Sequence, residues 1–170
     1  WGRKHHVAGL RPAQRARVTL VEDDVTKVKT PAQDMVLAMN FSYFLFKTRV
    51  ELLRYFKRAR QNLVDDGMFL LDCYGGSDSF VELEEERELD GFIYVWDQNK
   101  YDPITGHATN HIHFLFPDGT KMKKAFSYDW RIWGLPEMRD ILGEAGFAKS
   151  EVYWEGTDKD GEGNGVFTRR

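Results

Sequence analysis

Apolar and polar positions follow two different periods along the chain. Asp34-Met35-Val36-Leu37-Ala38-Met39 is continuously apolar after its first residue, which predicts a strand covered on both faces. Arg17-Val18-Thr19-Leu20-Val21-Glu22 alternates and is β-branched, so it predicts another strand, ending at Asp23-Asp24. Between Thr48 and Leu63 the period becomes helical. Val50, Leu53, Phe56, Ala59 and Leu63 share one face, with Arg54, Lys57, Arg58 and Gln61 mostly opposite. Thr48 with Glu51 three residues later is a capping box. Asp65-Asp66-Gly67 should end this helix and lead into a second buried strand, Met68–Tyr74. Strand, helix and strand with short joins predict a βαβ unit with a right-handed crossover.

From Glu84 the pattern changes to alternation interrupted by turns. Asp90-Gly91 is a strong hairpin signal. Asp102-Pro103-Ile104-Thr105-Gly106 and Pro117-Asp118-Gly119-Thr120 mark two more turns. The strands between them, Phe92–Tyr101, His107–Phe116 and Lys121–Tyr128, complete an antiparallel meander. Helical spacing returns after Pro136: Met138, Ile141, Leu142 and Ala145 face inward, and Gly146 is placed to close the helix ahead of Phe147. Lys149–Trp154 predicts a strand, and the Gly- and acid-rich Thr157–Gly165 a mobile segment. At the other end, Val7 and Leu10 predict the back of a helix that stops near Arg11-Pro12. Together these elements predict an α/β fold: a sheet with helices, plus an inserted antiparallel β-meander cap. The core would comprise residues 1–79 and 130–170, the cap residues 80–129.

Composition narrows the classes. The 170 residues carry 24 basic and 27 acidic side chains, a net charge of −3, so nucleic acid is not an expected partner. Apolar content of 42% argues against disorder. Apolar runs such as Met35–Met39 and Phe114–Phe116 fall far short of the roughly 18 residues that span a bilayer, so no membrane partner is expected. The single Cys cannot form an intrachain disulfide, which favours a reducing cytoplasm.

Chemistry is expected where strands end. In a parallel sheet, ligands bind at the carboxyl ends of the strands. Asp23-Asp24-Val25 and Asn40-Phe41-Ser42-Tyr43 lie at such ends, although both also fit locally satisfied turns. Asp72-Cys73-Tyr74-Gly75-Gly76 closes the next strand, with Cys73 read as a packed core residue. No G-x-G-x-x-G motif or P-loop occurs. His111 and His113 share a strand face, but no carboxylate pair or Cys adjoins them in sequence, so no metal site is expected. His5 and His6 are neighbours on a helix and point apart. Tyr128-Asp129-Trp130-Arg131-Ile132-Trp133 joins the cap to the last helix and reads equally as packing or as a binding surface.

The ordered set of segments resembles the class I S-adenosylmethionine (SAM)-dependent methyltransferases of small-molecule type. The resemblance runs over nearly the whole chain and implies a partial Rossmann-like sheet, its core incomplete at both ends. Val18–Val25 matches the family's third strand with its acidic end, and Asp34–Tyr43 the fourth strand and its loop. Thr48–Leu63 matches the next helix, and Asp65-Asp66-Gly67 leads into the fifth strand, Met68–Tyr74. Trp130-Arg131-Ile132-Trp133-Gly134-Leu135-Pro136-Glu137 with Leu142–Phe147 matches the family's closing segment.

The resemblance implies SAM as cofactor and a small-molecule acceptor, and it leaves room for a homodimer. Asp24 would accept from the adenine amino group, Val25 N–H would bind the ring, and Asn40 and Phe41 would line the methionine end. Tyr43, Trp96, Tyr128, Trp130 and Arg131 would face the acceptor; no general base is implied. The family's first strand, Gly-rich loop and second strand have no counterpart in these residues, and its seventh strand would be cut after Phe167. The expectation is therefore a C-terminal portion of a catalytic domain, binding SAM poorly by itself. A non-catalytic methyltransferase-like or α+β small-ligand-binding module is the alternative reading.

Overall fold

Residues 1–159, 161 and 163–170 are described in the computed structural model. Short helices open the chain: α1 spans Gly2–His5 and α2 spans Pro12–Arg15. Pro12 therefore starts a helix where the sequence pattern placed a helix end. Its missing N–H costs nothing at the first helical position. Residues 17–22 form no ladder. Among the described residues no strand lies beside them, and Val18, Leu20 and Val21 stay exposed. Alternation predicts a strand only where a neighbour exists to pair with its amides and carbonyls.

β1, Gln33–Ala38, follows and pairs in parallel with β2, Leu63–Leu71. Between them runs α3, Arg49–Gln61, capped as expected by Thr48 and Glu51. The helix ends before Asn62, and Asn62 pins the chain leading to β1: its amide donates to the Val28 carbonyl and accepts from Thr30 N–H. Asp65-Asp66-Gly67 lies within β2, where Gln33–Met35 of β1 faces the longer Leu63–Met68 stretch. The segment is thus a bulge inside the strand and does not terminate the helix.

The buried face of α3 is Leu52, Phe56 and Ala59, with Leu53 half-buried and Val50 67% exposed. That face is rotated from the expected one, because Leu52 takes the inward place given to Val50. β1 and β2 are covered on one face only. Ala38 is buried, whereas Met35, Leu37, Met39, Met68 and Leu70 are exposed. The two-sided coverage read from their apolar runs is absent among the described residues.

The meander forms as its turns dictate. β3 (Leu83–Leu89), β4 (Phe92–Asp102), β5 (His107–Leu115) and β6 (Lys121–Arg131) make a four-stranded antiparallel sheet in sequence order. Gly91 has φ +85°, the left-handed conformation that a tight hairpin turn requires. β6 runs on past Tyr128 to Arg131 and feeds directly into α4, Leu135–Glu144. Met138, Ile141 and Ala145 of this last helical segment are buried, and Gly146 at φ +98° closes it. The final strand starts later than expected. β7 spans Tyr153–Thr157 and pairs antiparallel with β8, Gly163–Arg169, which the Gly-rich composition had disguised as loop. Residues 160 and 162 of the Thr157–Gly165 segment lie outside the described residues.

The core is shared by both halves. Trp133, Tyr43, Phe44, Phe56, Leu52 and Ile141 are its largest fully buried side chains. Trp130 from the meander joins the same cluster. No described helix is long and apolar enough to cross a membrane.

Candidate functional site

The carboxyl ends of β1 and β2 come together beside the inner face of the meander. Leaving β1, Asn40 (φ 59°) and Phe41 (φ 53°) are both left-handed. Two such residues in succession, one of them bulky, cost free energy and need an external hold. Asp72, just past β2, supplies it. The Asn40 and Phe41 N–H groups donate to its Oδ2 and Oδ1 at 2.7 and 3.0 Å. Charge-assisted bonds of this kind are stronger than neutral ones. The carboxylate thus fixes the direction in which Phe41 leaves the strand.

Phe41 opens an aromatic wall. Its ring lies 5.7 Å from Tyr74 and 6.1 Å from Trp130. Tyr74 is 6.3 Å from Trp96, Trp96 is 5.8 Å from Tyr128, and Tyr128 is 4.6 Å from Trp130. The register explains this gathering. Ala108 faces Trp130, Asn110 faces Gln98 and Tyr128, and Ile112 faces Trp96. Directly paired residues share a sheet face, so these positions all turn toward the ends of β1 and β2. Phe41, Tyr74, Trp96 and Tyr128 are half-buried, leaving part of the wall open. Burial holds the Tyr74 hydroxyl above its usual range.

Not every expected site residue reaches this wall. Tyr43 is 1% exposed, and its hydroxyl donates to the Asp72 carbonyl at 2.7 Å. Burial, and then Cys73, push its pKa upward. It supports the β2 end from the core and does not line the open surface. Arg131 lies on the opposite side of β6 from Trp130, as alternation requires. Its guanidinium donates to the Lys47 carbonyl at 3.0 Å, pairs with Glu137 at 3.3 Å and sits 3.7 Å over the Trp133 ring. Its charge is committed to joining the meander to the core.

Asp24 and Val25 lie on an exposed turn. The Asp24 carboxylate accepts from Thr26 N–H and hydroxyl and pairs with Lys27 at 2.9 Å. Lys27 first, then Thr26, holds its carboxyl far below the usual range. Cys73 is exposed because β2 ends at Leu71, which corrects its reading as a core residue.

The opposite face of the meander also departs from expectation. His113 does have carboxylates nearby, supplied across strands by Asp97 and Glu84. Each of the three residues offers a ligand atom within 4.8 Å of the others. The His113 ring is already committed, however. Its Nδ1 accepts from Lys124 N–H at 2.7 Å, so the neutral ring carries its proton on Nε2 and donates to Asp97 Oδ2 at 3.0 Å. A metal would need that same Nε2 lone pair. The geometry is that of a structural His–Asp pair holding Lys124 at φ 51°.

The hold exerted by Asp72 and the place of Tyr74 were missed in the sequence. The available signal was an acid one residue beyond β2, at the same sheet edge as Asn40.

No family model matches the chain, and no curated protein matches it. Solved structures do. The CcbJ methyltransferase from Streptomyces caelestis is 19% identical, with a TM-score of 0.61, over 74% of this chain and 51% of its own. An S-adenosylmethionine-dependent methyltransferase from Clostridium acetobutylicum is 16% identical, with a TM-score of 0.62, over 92% of this chain and 64% of its own. The chain has the class I methyltransferase fold. The sugar N-methyltransferase KedS8 from Streptoalloteichus shares it at 17% identity and a TM-score of 0.55, over 85% and 61% of the two chains. The chain spans between half and two thirds of the length of these structures. The aromatic wall lies at the carboxyl ends of β1 and β2, the edge at which open α/β sheets in general bind ligands.

Proposed function

We propose that this chain takes part in methyl transfer from SAM to a small-molecule acceptor. The observation that carries the reading is the left-handed Asn40-Phe41 step, clamped by Asp72 beneath an aromatic wall at the strand ends of a methyltransferase fold. SAM supplies an electrophilic methyl group on a cationic sulfonium. The site fits that charge, because the faces of Phe41 and Tyr74 attract cations.

Asn40 and Phe41 would line the methionine end of the cofactor. Asp24 and Val25 would hold adenine, which requires Lys27 to release the Asp24 carboxylate. Trp96 and Tyr128 would receive the acceptor with the buried Trp130 packed behind them, while Tyr43 and Arg131 hold the surrounding structure in place. The chain's contribution is orientation and exclusion of water around an in-line displacement. The names of similar structures, a sugar N-methyltransferase and an amino pentose methyltransferase among them, support a nitrogen acceptor. The proposal includes a cytoplasmic setting, supported by the single Cys. It also includes a homodimer, supported by the exposed apolar row of Met35, Leu37, Met39, Met68 and Leu70.

Calorimetric titration of SAM into the intact protein tests the reading. Saturable binding is expected, weakened about tenfold by Asp24→Ala through loss of one charge-assisted hydrogen bond. Absence of binding would favour a non-catalytic ligand-binding module, and unchanged affinity in the variant would remove Asp24 from the adenine site.

A further inference from the structure

Six polar or charged residues are buried among the described residues: Asn62, Ser79, Asp97, Gln98, Asn110 and His111. Five are satisfied within the fold. Asn62 bonds Val28 and Thr30, and Ser79 bonds the Gly76 carbonyl. Asp97 meets His113, Gln98 donates to the Asp78 and Val81 carbonyls, and His111 meets the Ser127 hydroxyl. Asn110 is the exception. It is 3% exposed, and among the described residues its side chain meets no hydrogen-bond partner. Buried amides are normally paired, so the missing partner calls for an explanation.

The position of Asn110 supplies one. The side chain stands on the inner face of β5, between Gln98 of β4 and Tyr128 of β6. Trp96 and Trp130 share that face. Its amide atoms are not among the fully enclosed orphan atoms, of which Arg58 Nε is the one found. The small remaining exposure of Asn110 therefore includes its amide, which looks out among the half-buried rings of the wall.

We propose that Asn110 is a polar anchor in the acceptor subsite, binding a hydroxyl carried by a small amine, which docks as the ammonium and gives its proton to solvent before its nitrogen lone pair can attack the methyl group. This rests on the acceptor-site reading above and adds to it the chemistry of the bound group. The half-buried rings of Trp96 and Tyr128 favour an ammonium and the C–H face of a compact ring. The amide of Asn110 offers both a donor and an acceptor, as a hydroxyl requires. Anionic acceptors are disfavoured, because the Arg131 guanidinium is turned to the other side of β6 and bound to Glu137 and Lys47. The Lys47 ammonium is likewise paired, with Asp129 at 2.7 Å.

The test compares two probes, trans-2-aminocyclohexanol and cyclohexylamine, which differ by one hydroxyl. Each is titrated into the full ¹⁵N-labelled chain while side-chain amide resonances are followed. Only the amino alcohol should shift the Asn110 amide pair, and it should bind about tenfold more tightly. Asn110→Leu should abolish the difference and leave affinity for cyclohexylamine intact. Without ligand, the same variant should melt at an unchanged or higher temperature, since no internal bond is lost. Equal binding of the two probes by the wild type, no binding of either, or an unmoved Asn110 amide would overturn the proposal. So would a fall of several degrees in the Asn110→Leu melting temperature, which would mean that the partner lies inside the fold. SAM titration of the wild type reads the methyl-transfer reading separately.

Discussion

The meander and the parallel pair use similar apolar residues to opposite effect. Each meander strand pairs with its neighbour in sequence, across turns built on Gly91, Gly106 and Gly119 at positive φ. Its partners are specified locally. β1 and β2 are brought together only through α3, and their outer face leaves Met35, Leu37, Met39, Met68 and Leu70 exposed. A parallel strand is stabilised by elements distant in sequence. The difference shows that an apolar run states how much cover a strand needs, whereas a turn states which strand provides it.

The strongest way to break this contrast is to cut the link between the two regions. Trp130 is 5% exposed and contacts Phe41 and Phe44 on one side and Trp96 and Tyr128 on the other. Trp130→Ala should cost about 3–5 kcal/mol. Urea unfolding followed by amide exchange should then show β1–β2 opening before the meander. A single transition at unchanged midpoint would show that the regions do not depend on this ring. Asp72→Ala acts within the parallel half alone. Loss of both backbone partners should cost about 2 kcal/mol and speed exchange at Asn40 and Phe41, leaving the meander amides protected.

The smallest effect separates the regions by pH. Burial holds the His111 pKa below its ordinary value of 6.5. The unfolded chain therefore takes up a proton more readily than the folded one as pH falls through about 6.5, and stability declines there. The groups facing His111 are Lys124, Asp97 and His113, with Ser127 on its Nδ1. His111→Gln should flatten this part of the stability profile, as read by thermal melts between pH 5 and 8.

The same contrast governs how much could be read from the sequence. The meander strands, the Thr48–Glu51 cap and the Gly146 helix end were legible, because each rests on residues a few positions apart. The strand expected at residues 17–22 was not, since pairing depends on a neighbour that alternation cannot supply. Val50 and Leu52 lie about 200° apart on the helix, and packing turned inward the face that holds Leu52, Phe56 and Ala59. For the candidate site, general sheet geometry pointed to the ends of β1 and β2, and position in the sequence to Trp96, Tyr128 and Trp130, which the structure gathers into one wall. Asp72 as a clamp and Asn110 as a buried amide were not visible. Both depend on cross-strand neighbours, and neither side chain is unusual in isolation.

The unbroken course of β6 from Lys121 to Arg131 has a practical meaning for protein engineering. A graft or deletion bounded at residue 129 would sever a strand, discarding the Trp130 ring and the Arg131 clasp while keeping the rest of the sheet. A transplantable module has to extend through Arg131, and its recipient has to provide the equivalents of the Lys47 carbonyl, Glu137 and Trp133. Moving the meander to another scaffold is therefore first a problem of matching this attachment point.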